Sequence, residues 1–319
     1  RVEGKDACAF LNYVCGGEVD VPDGKITYTQ FLNERGGIEA DVTVTRLGET
    51  SYIVVTPAAT VQREMHWMRK HLGDYNAAII DATSSEGVLA VMGPNSRRLL
   101  ELVSNHDWTN DTHPFGQAHE VEIGMGLARA HRVTYVGELG WELYMPTDQC
   151  AHVFETIFEA GIDMNLKLCG MHMMDSLRIE KAFRHFGHDI TGEDHVVEAG
   201  LGFAVKTAKE NFVGRDAVLK KKEDGVDMRL VQFKLTDPQP LIYHHEPIIQ
   251  DCDFVSYITS ANYGHTLNGA MGLGYVKCKG QSVAELLESK FEIEIAGERY
   301  EAEASIKPMY DPKSERVKV

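Results

Sequence analysis

The stretch from Asn33 to Val44 reads NERGGIEADVTV, and a second stretch from Tyr135 to Tyr144 reads YVGELGWELY. The Gly36-Gly37 pair predicts a tight turn between two strands, because glycine adopts the positive φ values that hairpin turns require. Asp41 and Glu142 are lone carboxylates inside runs that otherwise predict strand. A carboxylate among apolar neighbours is costly without a partner, and a small molecule rich in N–H and amino groups is one such partner.

Composition and charge restrict the class of protein. The chain has 319 residues, of which 43% are hydrophobic and 25% charged, as in soluble globular proteins of two or three domains. Its formal net charge of −16 argues against nucleic acid or an anionic membrane as a main partner. No apolar run approaches the ~20 residues that span a bilayer. The chain starts at Arg1 without an initiator Met, and we expect it to be a fragment of a longer polypeptide.

The six cysteines carry no metal or redox motif. None is spaced as a CxxC pair, and the histidine pairs His185/His188 and His244/His245 lack an accompanying cluster of cysteines or carboxylates. We therefore expect ordinary histidines, no metal ion and reduced thiols, which suit a cytoplasmic or mitochondrial-matrix protein. The GMGLAR run at 124–129 lacks the third glycine of a dinucleotide-binding loop and leads into a predicted strand.

Hairpin-like strand pairs dominate the first two thirds of the sequence. Alternating patterns predict strands over Ile26–Leu32 and Ile38–Leu47. Two short apolar runs, Ala77–Asp81 and Val88–Met92, are expected to pair with each other. Helical spacing predicts a helix from about Gly170 to Phe183. This mixture of helices and adjacent strand pairs favours an α+β fold with antiparallel sheets over a doubly wound parallel sheet.

After Gly214 the sequence changes from mixed helix and strand patterns to a charged link followed by short strand patterns. The run KKKEDG at 220–225 predicts a charged, turn-rich link. Six short strands with turn residues between them follow, which predicts a small all-β barrel or sandwich. We therefore place an α+β region of two interleaved subdomains at residues 1–207, a linker at 208–227 and a C-terminal β-barrel domain at 228–319.

Six segments, taken in order, carry a family resemblance. They are GGIEAD at 36–41, YVGELGWE at 135–142, DSLRIEK at 175–181, FVGRDAVL at 212–219, ITSANYGH at 258–265 with MGLGYV at 271–276, and PMYDP at 308–312. With them the chain resembles the glycine-cleavage T-protein (aminomethyltransferase) family. It is more closely similar to the folate-binding C-terminal part of FAD-dependent dimethylglycine and sarcosine dehydrogenases. Each segment alone is weak evidence, but the ordered set covers nearly the whole chain.

The resemblance implies a fold and a reaction. The fold is a clover-leaf of antiparallel-sheet α+β subdomains with a C-terminal β-barrel. The reaction joins a one-carbon unit, held as an iminium or aminomethyl group, to the cofactor tetrahydrofolate and gives 5,10-methylenetetrahydrofolate. Lys181 and the Tyr-Asp-Pro ending favour the dehydrogenase branch, whose FAD domain belongs to a missing N-terminal portion. Two features depart from the family: the stretch before Arg1 is missing, and the first of two adjacent acids is replaced by Ala40.

Three candidate site residues follow from matches to the family motifs. Asp41 is expected to act as a base and to stabilise cationic intermediates; the alternative is a strand aspartate facing solvent. Glu142 is expected to accept hydrogen bonds from the pterin ring; the alternative is an edge-strand charge. Tyr135 is expected to pack or hydrogen-bond along the same ring. Glu138, in a glycine-rich turn, is expected to face solvent.

Arg178 and Tyr263 complete the predicted binding residues. Arg178 lies on a predicted helix whose apolar residues should face the core, so its guanidinium must find an anion. That anion is either the folate glutamate carboxylate or a site acid, or else Asp175 or Glu180 in a buried structural ion pair. Tyr263 lies in the barrel segment that faces the folate pocket in the family.

Three functions stay open at this point. The first is a tetrahydrofolate-dependent transferase that captures the iminium formed from an N-methyl amine such as dimethylglycine or sarcosine. The second is a stand-alone aminomethyltransferase or folate-dependent demethylase. The third is a non-catalytic folate-binding or assembly domain, which the retention of Asp41 weakens and the change at Ala40 keeps open. Dependence of product formation on Asp41 separates the enzymes from the binder.

Overall fold

The Gly36-Gly37 turn closes a hairpin of a five-stranded sheet in the computed structural model, which describes residues 1–319. Gly36 has a φ of +81°, and a Cβ on Gly37 would lie 2.1 Å from the Gly192 carbonyl oxygen. Both positions therefore require glycine. The strands are β1 (Val2–Glu3), β2 (Ile26–Leu32), β3 (Ile38–Gly48), β4 (Ser51–Val55) and β5 (Ala78–Ile79), in the spatial order β2-β3-β4-β1-β5.

Two helices share a core with this first sheet. They are α1 (Ala7–Val14) and α2 (Val61–His71). Phe10 of α1, Met68 of α2 and Tyr52 of β4 belong to one buried apolar cluster. Burial of this cluster fixes the two helices on the sheet, because apolar surface removed from water contributes roughly 25 cal/mol per Å².

A second antiparallel sheet has its own helices and core. Its strands are β6 (Glu86–Met92), β7 (Ala118–Ile123), β8 (Gly126–His131) and β9 (Gly140–Pro146), in the order β6-β9-β8-β7. The helices are α3 (Ser96–Val103) and α4 (Cys150–Gly161). The rings of Trp108 and Trp141 meet edge to face in this core, with centroids 5.1 Å apart.

The predicted pairing of Ala77–Asp81 with Val88–Met92 is wrong. β5 pairs with β1, where Val2 lies opposite Ile79, and β6 pairs with β9 over all seven of its residues. The two neighbouring runs thus belong to different sheets. β5 is only two residues long, so it offers far fewer ladder hydrogen bonds to β6 than β9 does.

The charged run predicted as part of a linker lies on a helix. After α5 (Met171–Glu180), α6 (Arg215–Asp224) includes the lysines and acids of that run and ends before Gly225, whose φ is +86°. Lysine and glutamate are good helix formers, and glycine readily ends a helix. Helix propensity therefore outweighs the turn signal of the charged run.

The C-terminal region is a closed β-barrel, as predicted. Its strands follow the order β10-β13-β12-β11-β14-β15, closed by pairing of β15 with β10. None of the helices of the chain is both long and apolar enough to cross a membrane. The elements are β10 (Met228–Leu235), β11 (Pro247–Gln250), β12 (Asp253–Gly264), β13 (Gly269–Lys277), α7 (Val283–Glu288), β14 (Phe291–Ile295) and β15 (Glu298–Ser305).

Helix α5 and the C-terminal tail join the barrel to the rest of the chain. Ser176 on α5 donates a 2.6 Å hydrogen bond to the Tyr263 carbonyl oxygen on β12. The Nζ of Lys181, just after α5, donates to the carbonyl oxygen of Asp311 at 2.6 Å and lies 3.3 Å from its carboxylate. The two features that favour the dehydrogenase branch in the sequence, Lys181 and the Tyr-Asp-Pro ending, therefore contact each other.

Candidate active site

Asp41 lies on β3, directly opposite Gln30 on β2. Gln30 Nε2 donates a 2.8 Å hydrogen bond to Asp41 Oδ1. Gln30 is fully buried, and its own Oε1 has no hydrogen-bond partner. The strand pairing therefore holds a neutral donor against the carboxylate.

The environment of Asp41 suits a base near neutral pH. Burial raises the pKa of its carboxyl group to about 6, although hydrogen bonding by Gln30 and Tyr28 and the charge of Arg184 oppose the rise. A catalytic base works best when its pKa lies near the operating pH. The alternative of an ordinary solvent-facing aspartate does not fit this desolvated position.

The side chain of Tyr28 lies beside this carboxylate, and Phe203 lies next to Tyr28. The rings of Tyr28 and Phe203 have centroids 6.3 Å apart. Tyr28 is 38% exposed, yet burial raises the pKa of its hydroxyl group well above the usual value. The Tyr28 side chain therefore reaches solvent, while its hydroxyl group lies near Asp41. Phe203 is 68% exposed, so an apolar surface lies open next to Tyr28.

Tyr135 lies on the loop between β8 and β9. Its hydroxyl donates a 2.9 Å hydrogen bond to the Arg184 carbonyl oxygen, and its ring stacks on Phe183 at 6.2 Å. Burial raises the pKa of Tyr135; among the nearby charges, Arg178 lowers it and Asp41 raises it. The structure thus brings Asp41, Tyr135 and Arg178 into one electrostatic neighbourhood.

Glu142 lies in a separate group of polar residues on β9. Tyr144, two positions along the strand, donates a 2.6 Å hydrogen bond to Glu142 Oε2. Burial raises the pKa of the Glu142 carboxyl group, and the Tyr144 hydrogen bond opposes that rise. His131 lies opposite on β8, fully buried, and burial lowers its pKa to about 3. Oε1 of Glu142 makes no hydrogen bond within the protein, so this oxygen is available to an N–H donor.

Arg178 lies at the centre of a buried ion-pair network. Its Nη1 lies 2.9 Å from Asp189 Oδ2, and its Nε lies 3.1 Å from Asp175 Oδ1. Nη1 also donates to Ser260 Oγ at 2.9 Å, which ties α5 to the barrel. The predicted alternative partner Glu180 is engaged elsewhere, since its Oε1 accepts the backbone N–H groups of residues 266 and 267. Asp189 is the main partner in its place.

Tyr263 and Glu138 differ in their surroundings from the other predicted residues. The Tyr263 hydroxyl donates a 3.1 Å hydrogen bond to Asn268 on the surface, and its ring lies edge to face with His265. Glu138 does not simply face solvent as predicted. Its carboxylate accepts a 3.2 Å hydrogen bond from the Tyr310 hydroxyl and lies 3.4 Å from Arg316. The C-terminal tail therefore covers it.

Sequence reasoning missed Gln30, Tyr28 and Tyr144. Tyr144 was accessible to simple strand periodicity, because residues two apart share a face. Gln30 was harder to identify, because a bulge at Phe31–Leu32 shifts the register of the hairpin by one residue. The structure contains no group of three histidine, cysteine or acidic residues that can hold a metal ion.

Comparison with known proteins gives consistent matches. The family model described as "GCVT N-terminal domain" matches residues 1–209, and the model "Glycine cleavage T-protein C-terminal barrel domain" matches residues 229–311. The solved structure of glycine cleavage system aminomethyltransferase T from Bartonella henselae superposes with a TM-score of 0.85 at 25% identity. That match covers 98% of this chain and 83% of the other.

Two longer curated proteins are also similar. The 4-methylaminobutanoate oxidase (formaldehyde-forming) of Paenarthrobacter nicotinovorans is 40% identical across 100% of this chain and 38% of that protein. The mitochondrial sarcosine dehydrogenase of Mus musculus is 31% identical across 99% of this chain and 36% of that protein. The chain therefore spans little more than a third of the length of these two relatives.

Proposed function

Because the chain belongs to the glycine-cleavage T-protein (GcvT) family of folate-dependent, aminomethyltransferase-like proteins, we propose that it transfers a one-carbon unit from an N-methyl amine to tetrahydrofolate. The donor is the iminium ion of an amine of the dimethylglycine or sarcosine type. The product is 5,10-methylenetetrahydrofolate. The two amine-oxidising relatives support this choice of donor over an aminomethyl group on a carrier protein.

The single observation that carries the proposal is the Asp41 carboxylate. It is desolvated, its pKa is about 6, and Gln30 holds it in place. Bound tetrahydrofolate supplies the nitrogens N5 and N10 that take up the carbon. The overall reaction converts an iminium ion and two N–H groups into a methylene bridge and a protonated amine, without an oxidant. Asp41 receives a proton from the reacting nitrogens and stabilises positive charge beside them.

The residues of the second group fit the pterin ring. Glu142 is desolvated and has one oxygen without a protein donor, and Tyr144 fixes the other oxygen. The free oxygen is accessible to a ligand, and hydrogen bonds to a charged acceptor are stronger than those between neutral groups. Tyr135 packs on Phe183 and supplies an aromatic surface for the ring. Arg178, by contrast, is assigned to positioning α5 against the barrel.

The iminium donor forms by oxidation of an amine, and we assign this oxidation to a different protein domain. The two curated relatives are more than twice as long as their matched parts, and their names describe an oxidase and a dehydrogenase. We therefore propose that an FAD-dependent oxidoreductase domain in a longer polypeptide supplies the iminium. A cytoplasmic or mitochondrial-matrix location fits this role.

Calorimetric titration with tetrahydrofolate tests the proposal. The wild type should bind saturably, and Glu142→Ala should weaken binding by more than ~10-fold, about 1.4 kcal/mol. Glu122→Ala is the matched control, because Glu122 lies exposed on β7 of the same sheet. Equal affinity of Glu142→Ala and the wild type contradicts the assignment of Glu142. Absence of wild-type binding contradicts the proposed function for this chain.

A further inference from the structure

An apolar cavity of about 270 Å³ lies between the two sheets of the α+β region. Its walls come from β4 and α2 on one side and from β6 and β9 on the other, and thirteen of its nineteen lining residues are hydrophobic. Val55, Met65, Met68 and Val88 are among them. The volume is slightly below the usual range for ligand pockets, about 300–1,000 Å³, so a small ligand is indicated.

Glu64 is the unusual member of this wall. It lies on α2, is 1% exposed, and its Oε1 has no hydrogen-bond partner. The Thr56 hydroxyl donates to the other oxygen, Oε2. Burial raises the pKa of the Glu64 carboxyl group. A buried carboxylate oxygen without a donor is costly, so an N–H donor in the adjoining cavity would be stabilised there.

The other charges of the cavity also favour a cation. Asp81 and Glu86 line it together with Glu64, against the single guanidinium of Arg1. Glu86 is already paired with Arg1 and Arg129, which leaves Glu64 and Asp81 as the carboxylates without an ion pair. The cavity therefore disfavours an anion and suits a positively charged group with apolar substituents.

The cavity also touches the site proposed for folate. Tyr144 lines it, and the hydroxyl of this same residue holds Glu142 Oε2 at 2.6 Å. We propose that the cavity binds a small N-methylated ammonium or iminium ion, with its N–H or cationic nitrogen toward Glu64 and its methyl groups against the apolar wall. This inference rests on the proposed function for the identity of the ligand and assigns Glu64 as a binding residue for the one-carbon donor.

Titration with trimethylammonium chloride, followed by NMR shifts, tests the inference. The neutral probe tert-butanol has nearly the same shape. We expect saturable binding of trimethylammonium to the wild type and at least ~10-fold weaker binding of tert-butanol. Glu64→Gln should weaken trimethylammonium binding by a similar factor, because it removes the charge and keeps the side-chain shape. Glu101→Gln, which changes an exposed glutamate on α3, should bind like the wild type.

A second variant covers the case in which Glu64→Gln does not fold. Val88 lines the cavity and is 52% exposed, so Val88→Trp should fill the cavity without disturbing the core and should abolish binding. No saturable wild-type binding, or equal binding of both probes, overturns the inference. Tetrahydrofolate titration of the same samples separates the two claims. Folate binding without amine binding rejects only the cavity, and amine binding without folate binding rejects only the proposed transfer.

Discussion

Gln30 and Asp41 occupy directly paired positions of β2 and β3, and the Gln30 side-chain amide donates a 2.8 Å hydrogen bond to the Asp41 carboxylate. This neutral donor favours the charged form of Asp41 and so opposes the rise in pKa that burial causes. The pair therefore orients the proposed catalytic residue and limits the rise in its pKa.

Removing this donor should raise the pKa of Asp41 further. Gln30→Leu keeps a side chain of similar size and also removes the buried, unpartnered Gln30 Oε1. We expect the acidic limb of the activity–pH profile to move to higher pH, with little loss of stability. Gln62→Leu, at an exposed position of α2, is the control. An unchanged midpoint would show that Gln30 does not tune Asp41.

The wild-type activity should itself depend on pH in a defined direction. Asp41 acts as a base only when deprotonated, and its pKa is about 6. The rate of methylene transfer should therefore rise with pH, with an apparent midpoint near 6, and then level off. Measurement of kcat/KM from about pH 5 to pH 8 tests this expectation. A rate that is flat across pH 6 would exclude Asp41 as the titrating group.

Asp41→Asn should stabilise the fold at alkaline pH. Burial raises the pKa of Asp41 from 3.8 to about 6. Between these values the folded chain binds more protons than the unfolded chain, so the free energy of unfolding falls as the pH rises. Above about pH 6 Asp41 is charged in the folded chain, so the loss in the free energy of unfolding caused by this buried charge has reached its full size. We expect Asp41→Asn to raise the free energy of unfolding by about 1–3 kcal/mol at pH 8.

Urea unfolding at pH 8 and at pH 3 measures this effect. At pH 3 Asp41 is protonated in both states, so wild type and Asp41→Asn should differ little. Stabilisation of equal size at both pH values would show that the gain has a source other than the charge.

Arg178→Met should destabilise the chain strongly. The change leaves the Asp189 carboxylate, whose side chain is 0% exposed, without its ionic partner. Breaking one side of a buried ion pair costs about 3–5 kcal/mol. Urea unfolding measures the loss, and the double variant Arg178→Met/Asp189→Leu should recover part of it. Weaker folate binding with unchanged stability would instead support a direct contact between Arg178 and folate.

The sequence predicts the hairpin around Gly36-Gly37 and the closed barrel well, because turn glycines and alternating strands act locally. The partners of Asp41 and Arg178 were less predictable. The bulge at Phe31–Leu32 decides which β2 residue faces Asp41, and Asp189 meets Arg178 only through tertiary packing. The same holds for Ile79, whose strand pairs with Val2 far away in the sequence. The proposed catalytic roles themselves stay predictions.

The central claim is that Asp41 serves transfer rather than binding. The most direct test mixes tetrahydrofolate with a preformed N,N-dimethylmethyleneiminium salt and measures the rate at which 5,10-methylenetetrahydrofolate forms. The rate without protein is subtracted to give the protein-dependent rate. We expect Asp41→Asn to lower the protein-dependent rate by about 10²–10⁴-fold while tetrahydrofolate affinity stays within a factor of about three. Equal protein-dependent rates for wild type and Asp41→Asn, with folate bound by both, would contradict the account, and folate binding without any protein-dependent rate would identify the chain as a folate binder.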